Sequence, residues 1–161
     1  MLLPGCTKQN NPSAVTWHKF TSEKDHFSVM VPGKPLEESD NPSPDAFHYF
    51  YFQVSEKNSS YLVSSGKLTD DPGVRNRLYD EIRDKTVGQY GKMLREKPMD
   101  ICGFPGREVQ LSADNGNSFA VTRFFIGKGH FYQELVVVPK ESQGSTNIAV
   151  FLDSFNVLDL K

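Results

Sequence analysis

The stretch Phe119-Ala120-Val121-Thr122-Arg123-Phe124-Phe125-Ile126-Gly127-Lys128-Gly129-His130-Phe131-Tyr132-Gln133-Glu134-Leu135-Val136-Val137-Val138 decides the fold. Two runs rich in aromatic and β-branched residues flank the glycine-bearing tip Gly127-Lys128-Gly129-His130, which is the pattern of a β-hairpin. Whether two or four residues form the loop, a centred register sets Arg123 opposite Glu134, Phe125 opposite Tyr132 and Val121 opposite Val136. An opposite-charge pair between apolar pairs steadies a register by about 0.2–1 kcal/mol. Arg123 and Glu134 are therefore read as a structural cross-strand pair, with no ligand needed to explain them.

Both faces of this hairpin are apolar. Phe119, Val121, Phe125, Tyr132, Val136 and Val138 share one face; Ala120, Phe124, Ile126, Phe131, Leu135 and Val137 share the other. A half-exposed antiparallel sheet would alternate polar with apolar, so this one is expected to be covered on both sides. Two helices are available as covers. Asp70-Asp71-Pro72 reads as a helix start, with an Asp to cap free N–H groups and a proline in the first turn. Val74, Leu78, Ile82, Thr86, Gln89 and Met93, with Tyr79 and Tyr90, then recur on one side of a helix expected over 71–93. A second helix is expected from about Thr146 to Phe155, capped by Ser145 or Thr146 and burying Ile148, Ala149, Phe151, Leu152 and Phe155.

Further strands are expected over 26–31, 47–54 and 61–68, and around 96–101 and 107–112, the last two joined by a turn at Gly103-Phe104-Pro105-Gly106. Asp114-Asn115-Gly116-Asn117 is a further turn, since Asn and Gly tolerate positive φ. The expected fold class is α+β, an α/β/α sandwich with a meandering antiparallel sheet covered by helices. The chain of 161 residues divides into a flexible tether over 1–15 and a single domain over 16–161, large enough for one core. Twelve Phe and six Tyr make that core largely one of rings.

Four segments occur in an order that resembles the PsbP-like superfamily, including bacterial lipoproteins of that type. They are His26-Phe27-Ser28-Val29-Met30-Val31-Pro32-Gly33-Lys34-Pro35, Gly103-Phe104-Pro105-Gly106-Arg107-Glu108, Phe131-Tyr132-Gln133-Glu134-Leu135-Val136 and Phe151-Leu152-Asp153-Ser154-Phe155. The resemblance spans most of residues 17–158 and is carried by turns, core strands and the closing helix. It implies an antiparallel sheet between helices and no enzymatic activity. Plant and cyanobacterial members attend the oxygen-evolving side of photosystem II, and a distant branch binds the Ran GTPase. No residue set in this sequence carries either role across.

Cys6, in Leu2-Leu3-Pro4-Gly5-Cys6, stands where a bacterial lipoprotein carries its lipidated cysteine, and the polar run Thr7 to Ser13 follows as a tether would. An export signal needs about 7–15 apolar residues before the cleavage site, so this reading takes the start as truncated. The alternative takes Cys6 as an ordinary residue of a cytosolic protein. With Cys6 acylated, Cys102 is left as a small buried hydrophobe.

Catalytic and metal motifs are not found. His18, His26, His48 and His130 form no i, i+4 pair, and zinc-ligand spacing and a nucleophile motif are absent. Asp25-His26 could meet His48 across strands. Net charge is −2 with acids and bases interspersed, so nucleic acid is not expected as a partner. No cofactor is expected.

The leading expectation is a non-catalytic binding or assembly module, tethered to a membrane by lipid on Cys6. It would face the periplasm, lumen or cell surface and engage a protein partner through the 34–46, 55–60 or 112–118 loops. The alternatives are a cytoplasmic protein-binding module of the same fold, a photosystem II-associated extrinsic protein, and a small hydrolase or ligand carrier. A deep pocket gathering two or more of His18, His26 and His48 with nearby acids would favour the last.

Overall fold

The computed structural model describes residues 15–33, 37–38, 48–54 and 58–159. Cys6 and most of the 34–46 loop lie outside them, as do residues 55–57. In chain order the elements are β1 (His18–Ser22), β2 (Phe27–Val31), β3 (Glu37–Glu38), β4 (His48–Val54), β5 (Ser59–Lys67), α1 (Pro72–Tyr90), β6 (Gly91–Ile101), β7 (Phe104–Ala113), β8 (Ser118–Gly127), β9 (His130–Pro139), α2 (Thr146–Asp153) and β10 (Asn156–Val157).

Seven of the strands form one antiparallel sheet in the order β3-β4-β5-β9-β8-β7-β6. β6 to β9 follow one another as a meander, and β9 then pairs with β5 from the first half of the chain. α1 carries the chain from β5 to the far edge, across four strand spacings, about 19 Å. Its 19 residues span about 28 Å, enough for that crossing.

The β8–β9 register is centred, with Arg123 opposite Glu134, Phe125 opposite Tyr132 and Val121 opposite Val136. The loop has two residues: Gly127 pairs with His130, and Lys128 and Gly129 sit at φ 48° and 76°, the positive pair a tight hairpin turn requires. Both faces are dry. Phe119, Val121, Phe125, Tyr132, Val136 and Val138 join one buried cluster; Ala120, Phe124, Ile126, Phe131 and Leu135 join another, with Val137 packed against it.

The covers differ in part from a plain helix on each side. α1 closes the second face, and its Tyr79 phenol donates to Pro105 O at 2.8 Å while accepting the Ile126 N–H at 2.9 Å. The first face is closed jointly by α2 and by a three-stranded sheet, β1-β2-β10, whose Phe27, Val29, Val31 and Val157 enter the same cluster as Phe151 and Leu152. Ser145 caps α2 by accepting the Asn147 N–H. Ser154 ends it two residues earlier than expected, its hydroxyl donating to Phe151 O and accepting the Met30 N–H of β2.

α1 begins as the sequence indicates, with the Asp71 carboxylate accepting the Gly73 N–H at 2.8 Å. It stops at Tyr90 rather than Met93. Gly91 is at once the helix cap and the first residue of β6, with φ 149° and its N–H donated to Val87 O. No connecting loop intervenes, so Met93 is an exposed strand residue, and Val74 is exposed as well. The β6–β7 turn also lies earlier than expected. Cys102 and Gly103, at φ 52° and 84°, form the tip, and Phe104 and Pro105 already belong to β7.

Cys102 is consequently exposed rather than a buried hydrophobe, with its thiol donating to Phe155 O at 3.1 Å. The charges of the central pair part company too. Arg123 donates to Glu108 at 2.8 Å and Asp153 at 2.7 Å, whereas Glu134 is 1% exposed and neither carboxyl oxygen has a hydrogen-bond partner among the described residues. On that face Glu134 lies across from Val63 of β5, inside the cluster, while Arg123 turns outward to reach two acids nearer solvent. Burial pushes the Glu134 carboxyl well above its ordinary value of 4.5.

Two consequences are measurable. A Cβ on Gly91 would stand 2.1 Å from Ser112 O, whereas one on Gly88 meets nothing within 4 Å. Gly91→Ala should therefore lower the unfolding free energy by about 2–4 kcal/mol in urea melts. Gly88→Ala should raise it by up to about 1 kcal/mol. Glu134 binds its proton more tightly folded than unfolded, so its contribution is intact below pH 4.5 and is lost as pH rises toward the elevated folded value. Glu134→Met, which removes the orphaned oxygens, should stabilise the protein by about 1–3 kcal/mol at pH 7. The gain over wild type should widen as pH is raised above 4.5. A pH-independent difference in melting temperature would refute the burial of an unpartnered carboxyl.

Candidate functional site

α1 packs against β6 and β7, its Tyr79 joining Val109, Leu111, Ala120, Phe124 and Ile126 in one buried cluster, and leaves the β4 side of the same face open. Alternation along β4 sends Phe50 and Phe52 into the core and Tyr49 and Tyr51 outward, where they remain 38% and 41% exposed. The result is a cleft of about 390 Å³ between α1 and the β4–β5–β9 surface, lined among others by Tyr49, Tyr51, Leu62, Lys85, Tyr90 and Gln133.

The cleft adjoins a second hollow of about 380 Å³ that shares Tyr51, Leu62 and Tyr90 and ends against Ser60, Asp114 and Ser118. Ser60, the last residue of the expected 55–60 loop but here part of β5, and Asp114 and Ser118 of the expected 112–118 turn thus border one end of the groove. Its floor is braced by a chain of hydrogen bonds. Gln133 donates to Thr86 at 3.2 Å and to Thr122 at 3.0 Å, and those hydroxyls donate onward to Ile82 O and Glu134 O. Burial, reinforced by the nearby Tyr51 and Tyr49, pushes the Tyr90 phenol above its ordinary value of 10.0, so it stays a neutral hydroxyl. Apolar ring faces with polar tips, set on two rigid elements, suit a surface that excludes water around a partner's side chains.

A different cluster forms at the opposite end of the sheet. Asp25 and His26 lie in the β1–β2 turn, His48 opens β4, Gly66 and Lys67 close β5, and His130 opens β9; with Lys24 they line a pocket of about 210 Å³. Asp25 and His48 meet at 2.7 Å between Oδ1 and Nδ1, and the Ser22 hydroxyl donates to Asp25 Oδ2 at 2.9 Å. Burial alone would raise the Asp25 carboxyl. The hydrogen bonds from His48 and Ser22 outweigh it and hold the group below its usual 3.8. Ser65, across the ladder from His48, also favours the charged form, yet its fully buried hydroxyl meets no hydrogen-bond geometry with a described partner.

The turn is fixed from behind. Tyr132 donates to Asp25 O at 2.8 Å, and the Leu158 N–H donates to His26 O at 2.8 Å. The His26 and His130 rings meet edge to face at 5.3 Å.

Of the four histidines, three converge here, and His18 stands apart, exposed at the start of β1. The Asp25-His26 step was the one local sign of this convergence in the sequence. Among the described residues no group of His, Cys, Asp and Glu has the arrangement to hold a metal ion. Arg123 and Glu134 line neither the groove nor this pocket. No helix among the described residues is long and apolar enough to cross a membrane.

No family model and no curated protein matches the sequence. The structure is similar to the solution structure of cyanobacterial PsbP (CyanoP) from Synechocystis sp. PCC 6803, with a TM-score of 0.61 and 13% identity, over 96% of this chain and 98% of that one. At that identity the likeness is one of architecture, and it agrees with the order of segments along the sequence: the chain has a PsbP-like, α+β fold.

Proposed function

We propose that this chain is a non-catalytic protein-binding module, a single PsbP-like domain over 16–161, held on the extracytoplasmic side of a membrane by lipid on Cys6. The observation that supports binding is the groove between α1 and β4, where Tyr49, Tyr51 and Tyr90 stand on a hydrogen-bonded floor that ends at the turn after β7. Tyrosines offer large contact area at small entropic cost, and residues of this kind dominate protein–protein binding energy. Leu2-Leu3-Pro4-Gly5-Cys6 supports the tether. A photosystem-associated role would rest on likeness of fold alone, which does not transmit function.

The pocket that gathers Asp25, His26 and His48 is the feature that favours the small hydrolase or ligand carrier, yet the serines beside it give hydrolysis little support. Ser65, the serine opposite His48, is 0% exposed, and the Ser22 hydroxyl is spent on Asp25. Neither is presented to a substrate.

The groove is tested with a photo-crosslinking residue at Gln89 on its rim, in the full chain expressed in its native host. One discrete protein adduct is expected, reduced at least tenfold by Tyr49→Ser with Tyr51→Ser, whose side chains are substantially exposed and carry little of the core. An adduct indifferent to both changes would remove the groove from the proposal. For the tether, Cys6→Ser should shift the protein from the membrane to the soluble fraction with an unchanged thermal melt. Retention at the membrane would leave a lipid on Cys6 without support, and an unmodified Cys6 in the soluble wild type would favour the cytoplasmic alternative.

A further inference from the structure

We propose that the pocket between the β1–β2 turn and the ends of β4, β5 and β9 binds a small oxyanion, a phosphate or carboxylate group, with His48 Nε2 as its buried hydrogen-bond donor. The placement of His48 points there first. Its Nδ1 is engaged by Asp25 at 2.7 Å, which leaves Nε2 on the far side of the ring. His48 lines the pocket, is 7% exposed, and its Nε2 has no hydrogen-bond partner among the described residues. A buried polar nitrogen left in that state is costly unless something fills its valence.

Charge selects the class of occupant. Lys24 and Lys67 stand on the rim, and neither has an ion-pair partner among the described residues. Among the described residues Asp25 is the one carboxylate in the lining, and both of its oxygens are committed, Oδ1 to His48 and Oδ2 to Ser22. Two ammonium groups outnumber the one carboxylate, so the balance of charge favours an anion, and the imidazoles add ring nitrogens for hydrogen bonding. Asp25 also compensates the positive charge that His48 carries once both ring nitrogens hold protons, as an orienting carboxylate does behind a catalytic imidazole.

The walls are preorganised for this task. His130 is stacked on Tyr132 at 5.8 Å between centroids, and its Nδ1 lies 3.3 Å from Lys128 O, so its Nε2 remains for a ligand. The carbonyls of Asp25 and His26 are taken by Tyr132 and Leu158, which fixes the turn without drawing on the pocket's side chains. A volume of about 210 Å³ is several times the ~30 Å³ share of one water, so a tetrahedral anion fits with part of its hydration shell.

The test uses the full chain and multiple-bond ¹H–¹⁵N spectra of the histidine rings, titrated with inorganic phosphate and, separately, acetate at constant ionic strength. A saturable shift at His48 Nε2 is expected, with His18 unmoved as the internal control. Saturation by phosphate but not acetate would identify a phosphoryl ligand, and the reverse a carboxylate. Lys24→Ala with Lys67→Ala, both exposed positions, should weaken the response at least tenfold without changing the melt. The proposal is overturned if His48 Nε2 responds to neither anion, if it moves no more than His18, or if the double variant binds as tightly. A ring nitrogen held by buried water alone would give the first of these results.

Discussion

Because the β8–β9 ladder carries apolar side chains on both faces, water has to be kept from two sides of one sheet, and the remaining elements are placed by that demand. Phe124, Ile126, Phe131 and Leu135 need a cover that arrives from outside the meander, and α1 supplies it by crossing from β5 to β6. Phe125, Tyr132 and Val136 need another on the opposite side. An eight-residue helix and a small sheet share the task. Tyr79 then ties the first cover to the sheet at a point, its hydroxyl bridging Pro105 of β7 and Ile126 of β8. Arg107 adds a second tie, reaching Asp80 of α1 and Glu96 of β6 while lying over the Tyr79 ring.

What the sequence makes legible is whatever is set by neighbours along the chain. The faces of Phe119 to Val138, the Asp71 and Ser145 caps and the turn at 114–117 are all local, and each follows from periodicity or from a residue's own φ preference. The errors arise where two elements meet. Gly91 lies inside the stretch expected as helix, and only its pairing with Ala113 shows that the chain leaves the helix directly into a strand. The β6–β7 tip was displaced because Gly-Phe-Pro-Gly carries strong turn residues, while the register of β7 against β8 fixes Phe104 and Pro105 as strand. Arg123 and Glu134 stand opposite each other, but Arg123 is drawn to Glu108 on the next strand and Asp153 on α2, and neither could be located from the hairpin alone.

The candidate sites were less legible still, for the same reason. The groove exists because α1 lies toward the β6–β7 side of the face, and an offset between layers has no signature in periodicity. The histidine pocket joins a turn near the start of the chain, the first residue of β4, the end of β5 and the first residue of β9. Strand pairing brings the three strand ends together, and the docking of the small sheet adds the turn. His48 was visible as a residue and invisible as a partner of Asp25, since their meeting depends on how the small sheet docks against the large one.

The β5–β9 pairing also separates two tempos within the chain. β6 through β8 pair only with sequence neighbours, so their ladders close short loops, whereas the seam between β5 and β9 encloses α1 and three strands. Loop-closure entropy makes the seam the slower step to form, ahead of which neither face is complete. His48, Gly66 and Lys67 lie on one side of it and His130 on the other. Assembly of the pocket therefore reports the completion of folding, and a rupture along this seam would divide the pocket while leaving each hairpin whole.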